Sequence, residues 1–342
     1  MRVCIVGAGA IGCFVGARLA RAGADVTLVA RGANLRALQA NGLEIIERDG
    51  SRSVHRLHAV AEPWDAGPQD LIILAVKAHQ VAPLVEAIVA RLERDTVLLT
   101  MQNGIPWWYF QRCGGPFEGR PVESVDPDGT IAATIPSGSI LGCVVYPACE
   151  LVQPGVVRHV EGDRFPIGEL DGTISPRAQR ISLLFESAGL RAPVLPDLRN
   201  EIWLKLWGNL AFNPLSALCR ATLASLCAEP RTRALAASMM AEAQAVAQKL
   251  GATFRVTLER RIEGAARVGH HRTSMLQDVE AGRPTELEPL LGSVIELARL
   301  TDTPVPTLDA VHACATLLEQ SVCAAPHARP KQAAPALVAE AA

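Results

Sequence analysis

The feature that most constrains this chain is GAGAIG at residues 7–12, set between a short apolar run and a helical pattern. Arg2 to Val6 (RVCIV) reads as a strand, and residues 10–22 align Ile11, Phe14, Val15, Leu19 and Ala22 along one helical stripe. Strand, glycine turn and helix in that order form the phosphate-binding start of a dinucleotide fold. Each glycine has a physical task. Gly7 takes the tight turn, Gly9 lets the backbone approach a pyrophosphate, and Gly12 lets helix and strand pack closely. The backbone from Gly7 through Ala8, Gly9, Ala10 and Ile11 to Gly12 then offers N–H groups and a positive helix end to the phosphates.

A second strand, Asp25 to Val29, should end beside the adenosine ribose. An NAD site usually has an Asp or Glu there, bonded to the ribose hydroxyls. This chain has Ala30-Arg31-Gly32 instead, and Asp25 lies at the wrong end of the strand. A guanidinium pairs with a 2′-phosphate, so the expected cofactor is NADPH/NADP+ rather than NAD.

The expected fold class is α/β: an N-terminal Rossmann-type doubly wound sheet followed by an all-helical C-terminal domain. In the first half, DLIILAV at 70–76 and TVLLTM at 96–101 read as buried strands around a helix at 79–93. A helix at 33–41 and a polar, alternating stretch at 43–60, read as short strands or a hairpin, precede them. Short strands near 139–149 and 156–168, a helix at 175–188 and a strand near 191–195 close the unit. Such alternation argues a parallel sheet. The resulting division is 1–196 for NADP binding, 197–324 for a helical catalytic and substrate domain, and an Ala/Pro-rich tail at 325–342 expected to be disordered. Residues 104–136 break the pattern and hold Trp107, Trp108 and Tyr109. A loop of that length reads either as a lid shaping a pocket or as an aromatic clasp against the helical part.

A formal net charge of −2 gives no reason to expect nucleic acid or an anionic membrane as partner. No apolar run is long enough to span a bilayer. The N-terminus passes directly into a strand, so no secretory leader is expected. The nine cysteines lack C-x-x-C or Cys/His zinc spacing. They read as small buried hydrophobes of a reducing, cytoplasmic protein, with no metal site. A homodimer is compatible with the sequence.

Polar residues at the carboxyl ends of strands meet ligands in an open α/β sheet. Lys77 follows DLIILAV, and Gln102-Asn103-Gly104 follows TVLLTM. The sharper pattern is KLWGNLAFNP at 205–214. On a helix Lys205, Asn209 and Asn213 form one polar stripe among Trp203, Leu206, Trp207, Leu210 and Phe212. A lysine hemmed in by apolar groups has a depressed pKa suited to acid catalysis. Pro214 is expected to kink or end that helix at Asn213. A third polar segment, 273–288, offers Ser274, Gln277, Asp278, Glu286 and Glu288.

Taken together these pieces resemble the ketopantoate reductase family over residues 1 to about 320. The markers, in order, are GAGAIG, Arg31, VKAHQ at 76–80, QNG at 102–104, Pro154-Gly155 with His159, IGE at 167–169, KLWGNLAFNP and SMLQDVEAGRPTE at 274–286. The resemblance implies reduction of 2-dehydropantoate to pantoate with NADPH, on the way to pantothenate and coenzyme A. It implies that Lys205 is the acid at the keto oxygen and that Glu286 binds substrate and tunes that lysine. Asn209, Asn213, Ser274 and Asn103 fall at substrate-contacting positions. Asn103 also falls near the nicotinamide, while Arg31 and Lys77 fall near the NADP phosphate and adenosine. The small 2-oxo acid substrate is the one partner implied.

The family's T-E-I-D appears here as Thr285-Glu286-Leu287-Glu288, its following Asn-Gly as Leu291-Gly292, and the segment after QNG is longer. A reductase of another 2-oxo acid is therefore the alternative. A non-catalytic NADP(H) sensor is a further one, but such a sensor needs none of Lys205, Asn209 and Glu286.

Overall fold

The computed structural model describes residues 1–324; the tail expected to be disordered lies outside them. β1 (Arg2–Val6), α1 (Ala10–Arg21) and β2 (Asp25–Val29) build the opening unit, with Val6 and Val29 as parallel partners. Two of the glycines are sterically required. A Cβ on Gly7, at φ +112°, would lie 2.7 Å from Val76 Cγ1, and one on Gly12 would lie 2.0 Å from the Gly7 carbonyl oxygen. Gly9 faces open space.

After α2 (Gly32–Asn41), the polar stretch divides. β3 (Leu43–Ile46) and β4 (Arg52–His55) form a hairpin, whereas β5 (His58–Val60) joins the main sheet beside β2. Next come β6 (Leu71–Leu74), α3 (Val85–Val89), β7 (Val97–Thr100), α4 (Thr130–Thr134), β8 (Ile140–Cys143), β9 (Ala148–Gln153), β10 (Val156–Glu161), β11 (Ile167–Glu169) and α5 (Pro176–Ser187). The seven-stranded sheet runs β11-β8-β7-β6-β1-β2-β5 and is parallel apart from β11. β6 and β7 are wholly buried, which is why they read as unbroken apolar runs. A four-stranded sheet, β4-β3-β10-β9, packs beside α1.

Two expectations in this half need correction. The helix expected over 79–93 is reduced to 3-10 turns at Ala78–Gln80 and Ala82–Leu84 followed by the short α3. Pro83 is the cause, since it lacks an N–H and its ring collides with a continuing helix. The run near 191–195 makes isolated bridges, Arg164 to Arg191 and Ile167 to Val194, rather than a strand.

The helical part comprises α6 (Leu198–Cys219), α7 (Leu223–Ala228), α8 (Pro230–Lys249), α9 (Leu258–Val268), α10 (Ser274–Glu280), α11 (Ser293–Leu300) and α12 (Pro306–Ala324). α6 is its axis and packs against α8, α10 and α12. Of the two outcomes expected at Pro214, an end is not seen: α6 continues through Pro214 to Cys219. A mid-helix proline costs about 3 kcal/mol. Burial of Leu210, Phe212 and Leu215, at roughly 1.5–3 kcal/mol each, outweighs it.

The start of the 104–136 segment is packed into the core. Trp107, Trp108, Tyr109 and Phe110 are each at most 4% exposed. Trp203 on α6 donates its indole N–H to the Tyr109 hydroxyl at 2.7 Å, and Arg199 donates to the carbonyls of Tyr109 and Gln111. The aromatics therefore clasp the sheet to α6. Among the cysteines, Cys4, Cys13, Cys143 and Cys227 are buried as expected, but Cys219, Cys314 and Cys323 are exposed. No helix among the described residues is long and apolar enough to cross a membrane.

Candidate active site

The opening at Gly9 is where a dinucleotide fits. The Gly7 and Ala8 N–H groups both bond the Val29 carbonyl, and Asn34 Nδ2 donates to the Ala8 carbonyl at 2.6 Å. Those bonds fix the loop. They leave the N–H groups of Gly9, Ala10 and Ile11 at the start of α1 without a backbone acceptor among the described residues. The open space at Gly9 admits a phosphate that any side chain would displace.

Arg31 stands at the end of β2 as expected, but it has an acidic neighbour. Its Nη2 lies 3.2 Å from Glu62 Oε2. Sheet register explains the meeting. Val29 of β2 pairs with Val60 of β5, so the residues two places beyond each strand lie side by side. An acid absent from the end of β2 is thus brought beside Arg31 by the segment that follows β5.

At the other end of the cleft, three predicted residues form a chain. Lys205 Nζ donates to Asn103 Oδ1 at 2.5 Å, and Asn103 Nδ2 donates to Glu286 Oε2 at 2.9 Å. Lys205 and Asn103 line a small cavity with Thr100, Pro106, Trp108 and Asn209. Burial pushes the Lys205 ammonium down to about 8; Glu286 and Cys143 oppose that shift, and the positive Arg261 reinforces it. Glu286 is 9% exposed and touches Lys205 only through Asn103.

The backbone around Asn103 is fixed from both sides. Gln102 Nε2 donates to the carbonyls of Leu74 and Val76, tying the ends of β6 and β7 together. Gly104 has φ +83°, and a Cβ there would sit 2.0 Å from the Pro289 carbonyl oxygen. That oxygen accepts the Ile105 N–H at 2.9 Å. Pro289 lies in a π-helical turn, Glu288–Gly292, an irregularity that recurs at functional sites.

The remaining predicted residues are placed unequally. Lys77 follows β6, but its ammonium is held by Asp278 Oδ2 at 2.6 Å and by the Pro284 carbonyl at 2.7 Å. Asp278 also receives Arg283 Nε at 3.0 Å. Ser274 is exposed at the start of α10, one turn before Asp278 and on the same face. Asn213 is buried one turn beyond Asn209 and does not line the cavity. In the aromatic segment, Pro106 and Trp108 reach the cavity, and Trp108 also donates to Thr100 Oγ1 at 3.0 Å. Trp107, Tyr109 and Phe110 belong to the clasp. His159, one of the sequence markers, is buried against Phe14 with ring centroids 4.5 Å apart, in the smaller sheet. Sequence reasoning gave no role to Glu62 or Arg261, and left Asp278 as one acid among several.

Comparison with known proteins places these features in context. Residues 3–172 match the model for ketopantoate reductase PanE/ApbA, and residues 197–319 match that for its C-terminal domain. The chain is 52% identical over 315 residues to the 2-dehydropantoate 2-reductase of Mesorhizobium japonicum, covering 91% of this chain and 95% of that protein. It is 30% identical to the 2-dehydropantoate 2-reductase of Archaeoglobus fulgidus, covering 86% of this chain and 90% of that one. Among solved structures, a Ralstonia solanacearum protein assigned as a ketopantoate reductase superposes with a TM-score of 0.89 at 39% identity, covering 94% of this chain and 98% of that one.

Proposed function

The chain belongs to the ketopantoate reductase family, and from that premise we propose that it reduces 2-dehydropantoate to pantoate with NADPH, for pantothenate synthesis in the cytoplasm. When bound, NADPH supplies a hydride to the carbonyl carbon at C2. Residues 1–196 hold the cofactor, through the loop Gly7–Gly12 and through Arg31, Lys77 and Asn103. Residues 197–324 supply the acid and most substrate contacts.

Negative charge develops on the keto oxygen as hydride arrives. The Lys205 ammonium stabilises that oxygen and gives it a proton. With its pKa pushed down to about 8, Lys205 still carries the proton at neutral pH yet releases it readily. Asn103 holds the ammonium in place and passes on the electrostatic support of Glu286. Asn209, which lines the cavity, and Ser274 receive the polar groups of the substrate.

The observation that carries this reading is the Lys205–Asn103–Glu286 chain opening onto the cavity at the carboxyl ends of the strands. NADPH oxidation measured against a panel of 2-oxo acids tests it. Ketopantoate should give the highest kcat/KM, with pantoate as product. No turnover of any 2-oxo acid, or a tenfold preference for a different one, would refute the assignment.

A further inference from the structure

α9 carries Arg261, whose guanidinium lies against the backbone of α6 at Gly208. A Cβ added to Gly208 would stand 2.7 Å from Arg261 Nη2 and 3.1 Å from its Cζ. A glycine inside a helix is destabilising; here the missing side chain is what leaves room for the guanidinium. Gly208 is one turn from Lys205 and adjacent to Asn209, so Arg261 lies over the face of α6 that carries the proposed acid. Its charge is close enough to help depress the Lys205 pKa.

Arg261 differs from the other cations at this junction. Lys77 is paired with Asp278, Arg164 with Glu201, and Arg199 with backbone carbonyls. Arg261 has a buried Nε without a hydrogen-bond partner, and among the described residues no carboxylate pairs with it. A largely buried guanidinium without a counter-ion is costly, and an anion from elsewhere would offset that cost. A 2-oxo acid carries its carboxylate one bond from the keto carbon. Its site needs one cation for the oxygen that gains charge and a second nearby for the carboxylate. The planar fork of arginine suits the latter.

We propose that Arg261 binds the carboxylate of the 2-oxo acid and so directs the keto oxygen to Lys205. This rests on the reductase reading above and adds to it the residue that selects an acid over a neutral ketone. Gly208 is the positioning residue that admits the guanidinium.

The test compares ketopantoate with its neutral methyl ester, at saturating NADPH, in the unmodified protein and in Arg261→Gln and Arg261→Lys. The unmodified protein should prefer the acid. Arg261→Gln should lose about 10- to 100-fold in kcat/KM on the acid, the worth of a charged hydrogen bond. The loss should fall mainly in KM, because the carboxylate is bound alike in ground and transition states. The ester rate should change little, and Arg261→Lys should recover part of the loss. The Tm of Arg261→Gln should not fall, since the substitution breaks no internal pair. Acid and ester falling together, a lowered Tm accompanying both losses, an unchanged acid preference, or no preference in the unmodified protein would each overturn the proposal. An unmodified protein inactive on every 2-oxo acid refutes the reductase reading and this role with it. An active protein whose Arg261→Gln variant keeps its preference refutes the carboxylate role alone.

Discussion

Glu286→Gln isolates charge from shape. The amide keeps the volume of the carboxyl and still accepts the Asn103 hydrogen bond, now 2.9 Å long to Oε2. What disappears is the negative charge that helps keep Lys205 protonated. The two hydrogen bonds, 2.5 and 2.9 Å with the Asn103 amide between them, put ammonium and carboxylate on the order of 7 Å apart. At an effective dielectric of about 20, charges at that distance attract by about 2 kcal/mol, roughly 1.5 pKa units. Removing the anion disfavours the charged lysine, so its pKa moves down from about 8 to roughly 6.5. The acid is active when protonated, so activity is lost as pH rises through that pKa, and the loss moves to lower pH in the variant. At pH 7 the protonated fraction drops from about nine-tenths to about one-quarter, a roughly 4-fold fall in kcat/KM. Near pH 5.5 the two proteins should converge. The assay is kcat/KM for ketopantoate from pH 5.5 to 10 at saturating NADPH. An unmoved midpoint refutes the electrostatic coupling of Glu286 to Lys205. A uniform loss at every pH assigns Glu286 to substrate binding instead.

Arg31→Ala should weaken NADPH about 10- to 150-fold while leaving NADH nearly unchanged, as fluorescence titration with each cofactor will show. Glu62→Gln should act in the opposite direction, freeing Arg31 for the 2′-phosphate and strengthening NADPH by at most about 5-fold, the worth of an exposed ion pair; weaker NADPH binding in that variant would show that Glu62 does not compete with the phosphate for Arg31. Trp108→Ala removes a ring that is 2% exposed and should cost about 3–5 kcal/mol in denaturant unfolding. It should also raise kcat/KM for 2-oxo acids with bulkier apolar side chains relative to ketopantoate, and an unchanged ranking removes Trp108 from the specificity wall.

The sequence made the frame legible where local physics dominates. GAGAIG, the strands around Ile72 and Leu98, and the Lys205–Asn209–Asn213 stripe each declare themselves within a dozen residues. The failures have specific causes. Pro83 interrupts an otherwise helical periodicity, and Pro214 does not, because only tertiary burial decides which proline a helix tolerates. Glu62 reaches Arg31 through the register of β2 against β5, across 31 positions of sequence. Arg261 stands among the charged residues of LERRIEGAARV with nothing local to mark it. Its sole sequence trace is a glycine in the middle of an apolar helix, far away at position 208. The aromatic segment reads as lid or clasp from sequence, and the Trp203–Tyr109 bond makes it chiefly a clasp.

The central claim, that Lys205 is the proton donor of a ketopantoate reductase, is tested most directly in a single turnover. Enzyme preloaded with NADPH is mixed with excess ketopantoate, and the loss of NADPH absorbance is followed for the unmodified protein and for Lys205→Ala, with NADPH affinity measured separately. The unmodified protein should oxidise all of the bound NADPH, with one pantoate formed per NADPH. The account predicts a rate about 10²–10⁴-fold lower for Lys205→Ala, with NADPH affinity unchanged. A folded Lys205→Ala protein that reduces ketopantoate at a near-normal rate would contradict it.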